Sequence, residues 1–470
     1  MSCNAGVLRG MTPGCVHDIS KGHNSIEALE STNWRLFETN PHLKGMKHSI
    51  TMAFTMDQIR EYILEPHERL PQKKTTAMPE ICRFSGAYVT SMRSRINIFD
   101  RGDVSMTVAY IWQYCRSGIF VSVRNSQLKL FVPFCNKDYR NTWSPQVRKS
   151  LPRASLPGDR WWCNGWMLCE MQPADIWGDT WLCALRNMLE SSCSTGRMGD
   201  CDFIINKRDT PCVRHDGKDP MNPFDALPRI INPSALIPVL SFNGGREYAD
   251  ICCPLAVDWC RATGKVYAQK KNMEAYKPPA DVYWEHKDQI AVWRGSMTGT
   301  GIDSTTNQRA YLCSLRSPLL DCKLTGSNSR WKLCPRTKRI ERAAQNCNLR
   351  DNFMSVGDQQ HNFRYGICVD GHGAADRTGE LLNGRQCILK VKSPPCTLGH
   401  SLWLDDLFFP WEHYVPVSHN LNDLVDSIQW LIDDDTRAMA IAKNCASAHK
   451  QYLCVSGITE WWIIVSNLMK

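Results

Sequence analysis

Phe363-Arg364-Tyr365-Gly366-Ile367-Cys368-Val369-Asp370-Gly371-His372-Gly373-Ala374-Ala375-Asp376-Arg377 is the stretch from which the rest of the chain can be read. Ile367 to Val369 is an apolar, β-branched run with the pattern of a short buried strand. A tight turn, Asp370-Gly371-His372-Gly373, follows at once. Small residues after a strand let a polyanion approach the backbone, and a helix N-terminus there would offer free N–H groups. Arg377 adds a planar, permanently charged fork that suits a phosphate. A Gly-rich turn alone is equally compatible with a purely structural strand-to-helix link.

Three further segments add weight. Phe203 to Ile205 reads as a short buried strand, with Asn206-Lys207-Arg208-Asp209-Thr210-Pro211 at its carboxyl end. Open α/β sheets place ligand-contacting residues at that end. Gln289 to Trp293 is another strand candidate and runs into Arg294-Gly295-Ser296. Further on lies Pro410-Trp411-Glu412-His413-Tyr414-Val415-Pro416-Val417. In this order the four segments resemble the CAP10-like glycosyltransferases of family 90, which include protein O-glucosyltransferases and fungal capsule xylosyltransferases. That family shows an Asn-x-Arg-Asp-x-Pro element, then Arg-Gly-Ser, then a Gly-rich turn ending in Arg, then Pro-Trp-x-His-Tyr-x-Pro-Val. The resemblance runs from about Asp200 to Cys454.

The resemblance implies an α/β protein with two Rossmann-like domains in a GT-B arrangement. It implies an inverting single displacement from a UDP-sugar, UDP-glucose or UDP-xylose, to an acceptor protein or glycan. No metal and no cofactor beyond the donor are expected. It assigns Asp209 as the base that takes the acceptor proton, a role a carboxylate suits within hydrogen-bond reach. It places Arg294 and Arg377 at the diphosphate, with further donors from Ser296 and from Gly371, His372, Gly373, Ala374 and Ala375. Cations or helix N-termini suit the stabilisation of a leaving diphosphate. Asp370 resembles the Asp-Gly of fungal and viral members, and either bonds a sugar hydroxyl or holds the turn. His413 and Tyr414, flanked by prolines and apolar neighbours, read as packing residues.

The 470 residues exceed one ordinary domain. We divide them into an extension at 1–90, an acceptor-side α/β domain at 91–245, a nucleotide-sugar-binding α/β domain at 246–435 and a helical segment at 436–470. The net charge of +9 favours anionic ligands but is too dispersed for a nucleic-acid partner. The basic run Lys332 to Arg342 reads as a solvated helix start or loop. No apolar stretch approaches the ~20 residues of a membrane span. The 23 cysteines include no Cys-x-x-Cys pair, so zinc ribbons and thioredoxin-like chemistry find no support. The first residues lack a signal-peptide layout, the last four lack a retention signal, and the one sequon-like triplet, Asn232-Pro233-Ser234, is excluded by its proline. These features point to the cytoplasm and reduced thiols; the resemblance implies the ER or Golgi lumen instead.

Strands are expected at Arg95–Phe99, Val104–Trp112, Ile119–Val123, Leu128–Phe134, Leu236–Phe242 and Cys387–Val391. Helices are expected over Met56–Leu64, from Asp179 through Leu182, Leu185, Met188 and Leu189, over Asn307–Leu315, and along two stripes after Leu421 and Ala438. Asp433-Asp434-Asp435, between those stripes, reads as a helix start. Two rival functions remain: a non-catalytic sugar- or protein-binding relative, and a nucleic-acid-binding protein that lacks any recognisable motif.

Overall fold

The computed structural model describes residues 84–135, 179–265, 283–342 and 353–469, less 101, 116, 207–209, 216–231, 326–330, 335, 338, 396 and 398. The expected helix at Met56–Leu64 and the base candidate Asp209 lie outside the described residues.

The first helices replace two expected strands. α1 (Gly86–Ile96) continues through a 3-10 turn to Phe99, and α2 (Val104–Tyr110) runs on to Cys115. The apolar residues of 95–99 and 104–112 look strand-like in isolation, but caps decide the matter. The Ser85 hydroxyl accepts from Tyr88 N, and Asp103 Oδ1 accepts from Met106 N at 2.6 Å. Tyr88, Met92, Ile96 and Phe99 then fall on one buried helical face.

β1 (Ser117–Arg124) and β2 (Gln127–Cys135) form a hairpin. Its turn residues Asn125 and Ser126 both take left-handed φ values, 51° and 54°, as a type I′ turn requires. α3 (Asp179–Cys193) buries Leu182, Leu185, Met188 and Leu189, as their spacing predicts. β3 (Cys201–Asn206), β4 (Val239–Ser241) and β5 (Ile251–Cys252) complete a five-stranded sheet of order β2-β1-β3-β4-β5. β3, β4 and β5 are parallel, while β1 is antiparallel to β2 and β3. α4 (Ala256–Thr263) follows.

The second sheet is parallel throughout. It contains β6 (Asp288–Gly295), β7 (Leu320–Leu324), β10 (Phe363–Cys368), β11 (Cys387–Val391) and β12 (Val415–Val417), in the order β7-β6-β10-β11-β12. α5 (Gln308–Ser314) links β6 to β7. β8 (Trp331–Cys334) and β9 (Arg339–Arg342) pair as an antiparallel ribbon, so the basic run is a small hairpin, not the helix start or loop expected. α6 (Val356–Asn362) precedes β10, and the four-residue α7 (Thr378–Leu381) follows the Gly-rich turn. α8 (Leu424–Asp433) and α9 (Asp435–Tyr452) match the two stripes, and Asp434 caps α9 by accepting from Arg437 N.

The final helix, α10 (Val455–Leu468), returns to the first sheet. Trp462 stacks on Phe203, Trp461 donates to the Tyr88 hydroxyl, and Arg197 grips Glu460 with both nitrogens at 2.7 and 2.8 Å. The α/β class follows directly from two parallel-rich sheets.

Candidate functional site

Numbering the strands of the second sheet by sequence gives the order 2-1-3-4-5. Connections leave in opposite directions from β6 and β10, and the crevice at their carboxyl ends is where open parallel sheets bind ligands. Arg294-Gly295-Ser296 ends β6, and the turn from Asp370 follows β10. The topology therefore brings two of the sequence motifs to one place.

Arg309, which the sequence reading passed over, joins the two loops. It sits in the first turn of α5, whose cap Asn307 accepts from Ala310 N and donates to the carbonyls of Thr298 and Thr300. The Arg309 guanidinium donates to the Ser296, Val369 and Asp370 carbonyls at 2.8–3.0 Å and to the Thr298 hydroxyl at 2.6 Å. It also lies 5.5 Å above the Trp293 ring. Among the described residues no carboxylate hydrogen-bonds it. Burial, with the nearby Arg377 charge adding, pushes its pKa down to about 10.

Arg377 caps α7 and spends one nitrogen on the Arg294 carbonyl, at 2.7 Å. Two guanidinium groups thus share one corner of the crevice. Arg294 itself points elsewhere. It is buried, bonded to the Asp321 carboxylate at 2.6 Å and to the carbonyls of Asp321 and Trp293. Ser296 contributes its carbonyl to Arg309 and to Thr298 N.

The turn is held tightly. Gly371 N bonds Gly373 O, Ala374 N bonds Gly399 O, and Ala375 N bonds Asp370 Oδ1. Ala374 and Ala375 therefore bring small side chains to the turn, their amides being used within it. Asp370 serves the turn through Ala375 N and the Ser393 hydroxyl. A Cβ at Gly371 would meet the Thr298 hydroxyl at 2.6 Å, so only glycine permits the two loops to touch. His372 and Gly373 occupy the tip, with Gly373 against Asn243 and Gly399.

The first sheet reaches the same turn. A Cβ at Gly399, which has φ of 68°, would meet Pro211 Cδ at 2.7 Å and Asn243 Cβ at 2.9 Å. Gly244 and Ser401 exchange backbone hydrogen bonds of 2.9 Å. The Pro211 end of the Asn206–Pro211 element thus lies beside Gly399, whose carbonyl accepts from Ala374 N. The fourth motif is a packed corner: His413 is buried and accepts from Phe409 N, burial holds its pKa below the ordinary value, and Lys390 lies over the Tyr414 ring.

Among the described residues no group of three or more His, Cys, Asp or Glu is arranged to hold a metal ion, and no helix is long and apolar enough to cross a membrane. The described cysteines given as free include buried thiols whose pKa burial raises, among them Cys193, Cys252 and Cys445.

The chain is similar in sequence to known proteins. The chain is 26% identical over 458 residues to uncharacterized protein 179R of Invertebrate iridescent virus 6, covering 82% of this chain and 38% of that protein. It is 28% identical over 408 residues to uncharacterized protein 027R of Frog virus 3, covering 78% and 42%. Human protein O-glucosyltransferase 1 is 26% identical over 281 residues, covering 57% and 61%. The chain thus spans less than two thirds of the length of each of these relatives. The model of glycosyl transferase family 90 matches residues 179–467, which take in β3, β4 and β5 of the first sheet, the whole second sheet and both arginines of the crevice. By that match, the chain belongs to glycosyl transferase family 90.

Proposed function

We propose that this chain moves a hexose or pentose from a UDP-sugar, UDP-glucose or UDP-xylose, to a hydroxyl of an acceptor protein or glycan. The observation that carries the reading is the Arg309–Arg377 pair at the β6/β10 crevice. It brings two cations to one corner of the crevice, neither hydrogen-bonding a carboxylate among the described residues, and so supports a diphosphate there. The similarity to protein O-glucosyltransferases supports glucose as donor and protein as acceptor.

In this reading Asp209 takes the proton of the acceptor hydroxyl. The acceptor oxygen forms its bond to the anomeric carbon as the bond to UDP breaks, with inversion. The departing electron pair settles on the diphosphate beside Arg377, in a field strengthened by Arg309. No metal is required, so turnover should survive EDTA. The two sheets, with α10 returning to the first, support a GT-B arrangement. The test is a panel of UDP-sugars with purified protein, following UDP release with and without acceptor hydroxyls. Release from UDP-glucose or UDP-xylose, inhibited by UDP, is the expected result. Absence of release across the panel, together with no UDP binding by calorimetry, would leave a non-catalytic relative as the better account.

A further inference from the structure

Arg377 can serve a diphosphate only if its fork stays open, yet α7 places a carboxylate within its reach. Arg377 caps α7 in helical backbone geometry, with φ of −76° and ψ of −7°. Glu380 lies one turn on, its N–H bonded to the Arg377 carbonyl at 2.9 Å. Side chains at this spacing on a helix are neighbours, and opposite charges there attract. The pair is nonetheless open. The Arg377 guanidinium donates to the Arg294 carbonyl, while Glu380 Oε2 accepts from Arg261 Nη2 at 3.0 Å.

Arg261 comes from outside the second sheet. It lies in the last turn of α4, whose Ala256 and Trp259 are buried in the core of the first sheet. Its Nη1 donates to Asp258 Oδ1 and to the Asp376 carbonyl, each at 3.4 Å. The Asp258 side chain is fully buried and accepts from Trp403 Nε1 at 3.0 Å. A Cβ at Gly379 would collide with Asp258 Oδ1, so α7 lies directly against this carboxylate. Asp258 therefore anchors Arg261 beside α7, and Arg261 takes up Glu380. Among the described residues no other cation pairs with Glu380. Both partners of that pair are largely buried, where salt screens an ion pair less than at the surface.

We propose that Arg261 is a positioning residue of the donor site: by holding Glu380 it keeps that carboxylate off Arg377 and leaves the Arg377 fork open for a diphosphate. The proposal rests on the glycosyl-transfer reading above. It makes Glu380 inhibitory once Arg261 is lost, which an ion pair needed only for folding would not do.

Arg261→Gln removes the charge and keeps an amide donor near the buried Asp258. Calorimetry should show UDP affinity lowered about 5- to 10-fold, while uridine, which lacks the diphosphate, binds within about 2-fold of wild type. Glu380→Gln alone should leave UDP affinity within about 2-fold. The deciding variant carries both substitutions. It should regain UDP affinity to within about 2-fold of wild type, because the carboxylate that captures Arg377 is gone. No recovery in the double variant, an equal loss for uridine, or wild-type UDP affinity in Arg261→Gln would overturn the proposal. Should the wild type bind no UDP, the functional reading fails, and urea unfolding decides the proposal by itself. The stability losses of Arg377→Ala and Glu380→Gln should add in the wild-type background, where the two side chains are apart. They should fall short of additive in Arg261→Gln, where the two pair. Coupled losses in the wild-type background, a measurement that needs no Arg261 variant, or additive losses in both backgrounds would overturn it.

Discussion

Arg294, Arg309 and Arg377 gather around the end of β6, and they differ in what they have left to offer a ligand. Arg377 uses one nitrogen on a carbonyl and keeps the rest of its fork. Arg377→Ala should weaken UDP binding by about 1.5–3 kcal/mol, the worth of hydrogen bonds to a charged group. Arg294→Ala should instead act on stability, because it removes a buried guanidinium that bonds the Asp321 carboxylate and two carbonyls, and leaves Asp321 with the more exposed Lys323 at 3.2 Å. Calorimetric UDP titration and urea unfolding on the two variants separate these outcomes; equal loss of UDP affinity in both would return Arg294 to the ligand. Arg309→Lys should reduce both quantities, since one ammonium cannot serve the four acceptors that the planar fork spans. Arg377 was legible in the sequence because it ends a Gly-rich turn. Arg309 was not: an arginine early in an expected helix looks like a solvent-facing cation. Only the sheet order shows that this helix begins between two loops. For Asp209, replacement by Asn should cut transfer by ~10²–10⁴-fold with little change in UDP binding.

Elements with one clean period were legible, and those with competing signals were not. α3, α8 and α9 carry apolar stripes at helical spacing, and β11 is a short β-branched run; β10 was read only at Ile367–Val369 and in fact begins at Phe363, directly after α6. Residues 95–99 and 104–112 mix aromatic and β-branched residues, whose strand preference outweighs the caps Ser85 and Asp103 on casual inspection. The Lys332–Arg342 ribbon lacked any strand signal because its charges interrupt the apolar alternation. One helix contact has a pH consequence. His449 of α9 is largely buried beside α7; burial lowers its pKa to about 4, against an opposing hydrogen bond to the Gly379 backbone. The folded state therefore favours neutral imidazole. The associated stability is complete above about pH 6.5 and is lost as pH falls toward 4. Between pH 7 and 5 the loss should be about 1–2 kcal/mol. Urea midpoints at both pH values should show a shallower loss in His449→Gln; identical slopes would remove His449 as the cause.

At the scale of the molecule, most of the second sheet's apolar residues form a core of their own, but the segment after β11 packs into the core of the first sheet. Leu402, Trp403, Leu404, Leu407 and Phe408, which follow β11, are buried with residues of β1, β3, β4 and α10. The Trp403 indole packs edge-on to Trp461 and donates to Asp258 of α4. Burial raises the Asp258 carboxyl pKa, and Arg261 opposes that rise. The described parts should unfold as one cooperative unit, with calorimetric and van't Hoff enthalpies in agreement. Two resolved transitions would mean that this shared packing contributes little. That three of the four motifs lie at the carboxyl ends of strands was legible, since each follows a short apolar run. The junction of the two sheets was not, because nothing in residues 399–408 marks them as belonging to the other sheet's core.

Gly399 accepts from Ala374 N, and a side chain on it would collide with Pro211. In the proposed reading this one glycine lets the turn after β10 and the Asn206–Pro211 element approach closely. With substrates held at that spacing, water competes for the anomeric carbon whenever the acceptor is absent, and the bound acceptor serves as the lid. Slow donor hydrolysis in the absence of acceptor should fall in proportion to acceptor occupancy. Gly399→Ala, which forces the two sides apart, should raise the ratio of hydrolysis to transfer; an unchanged ratio would show that the spacing is adjustable after all.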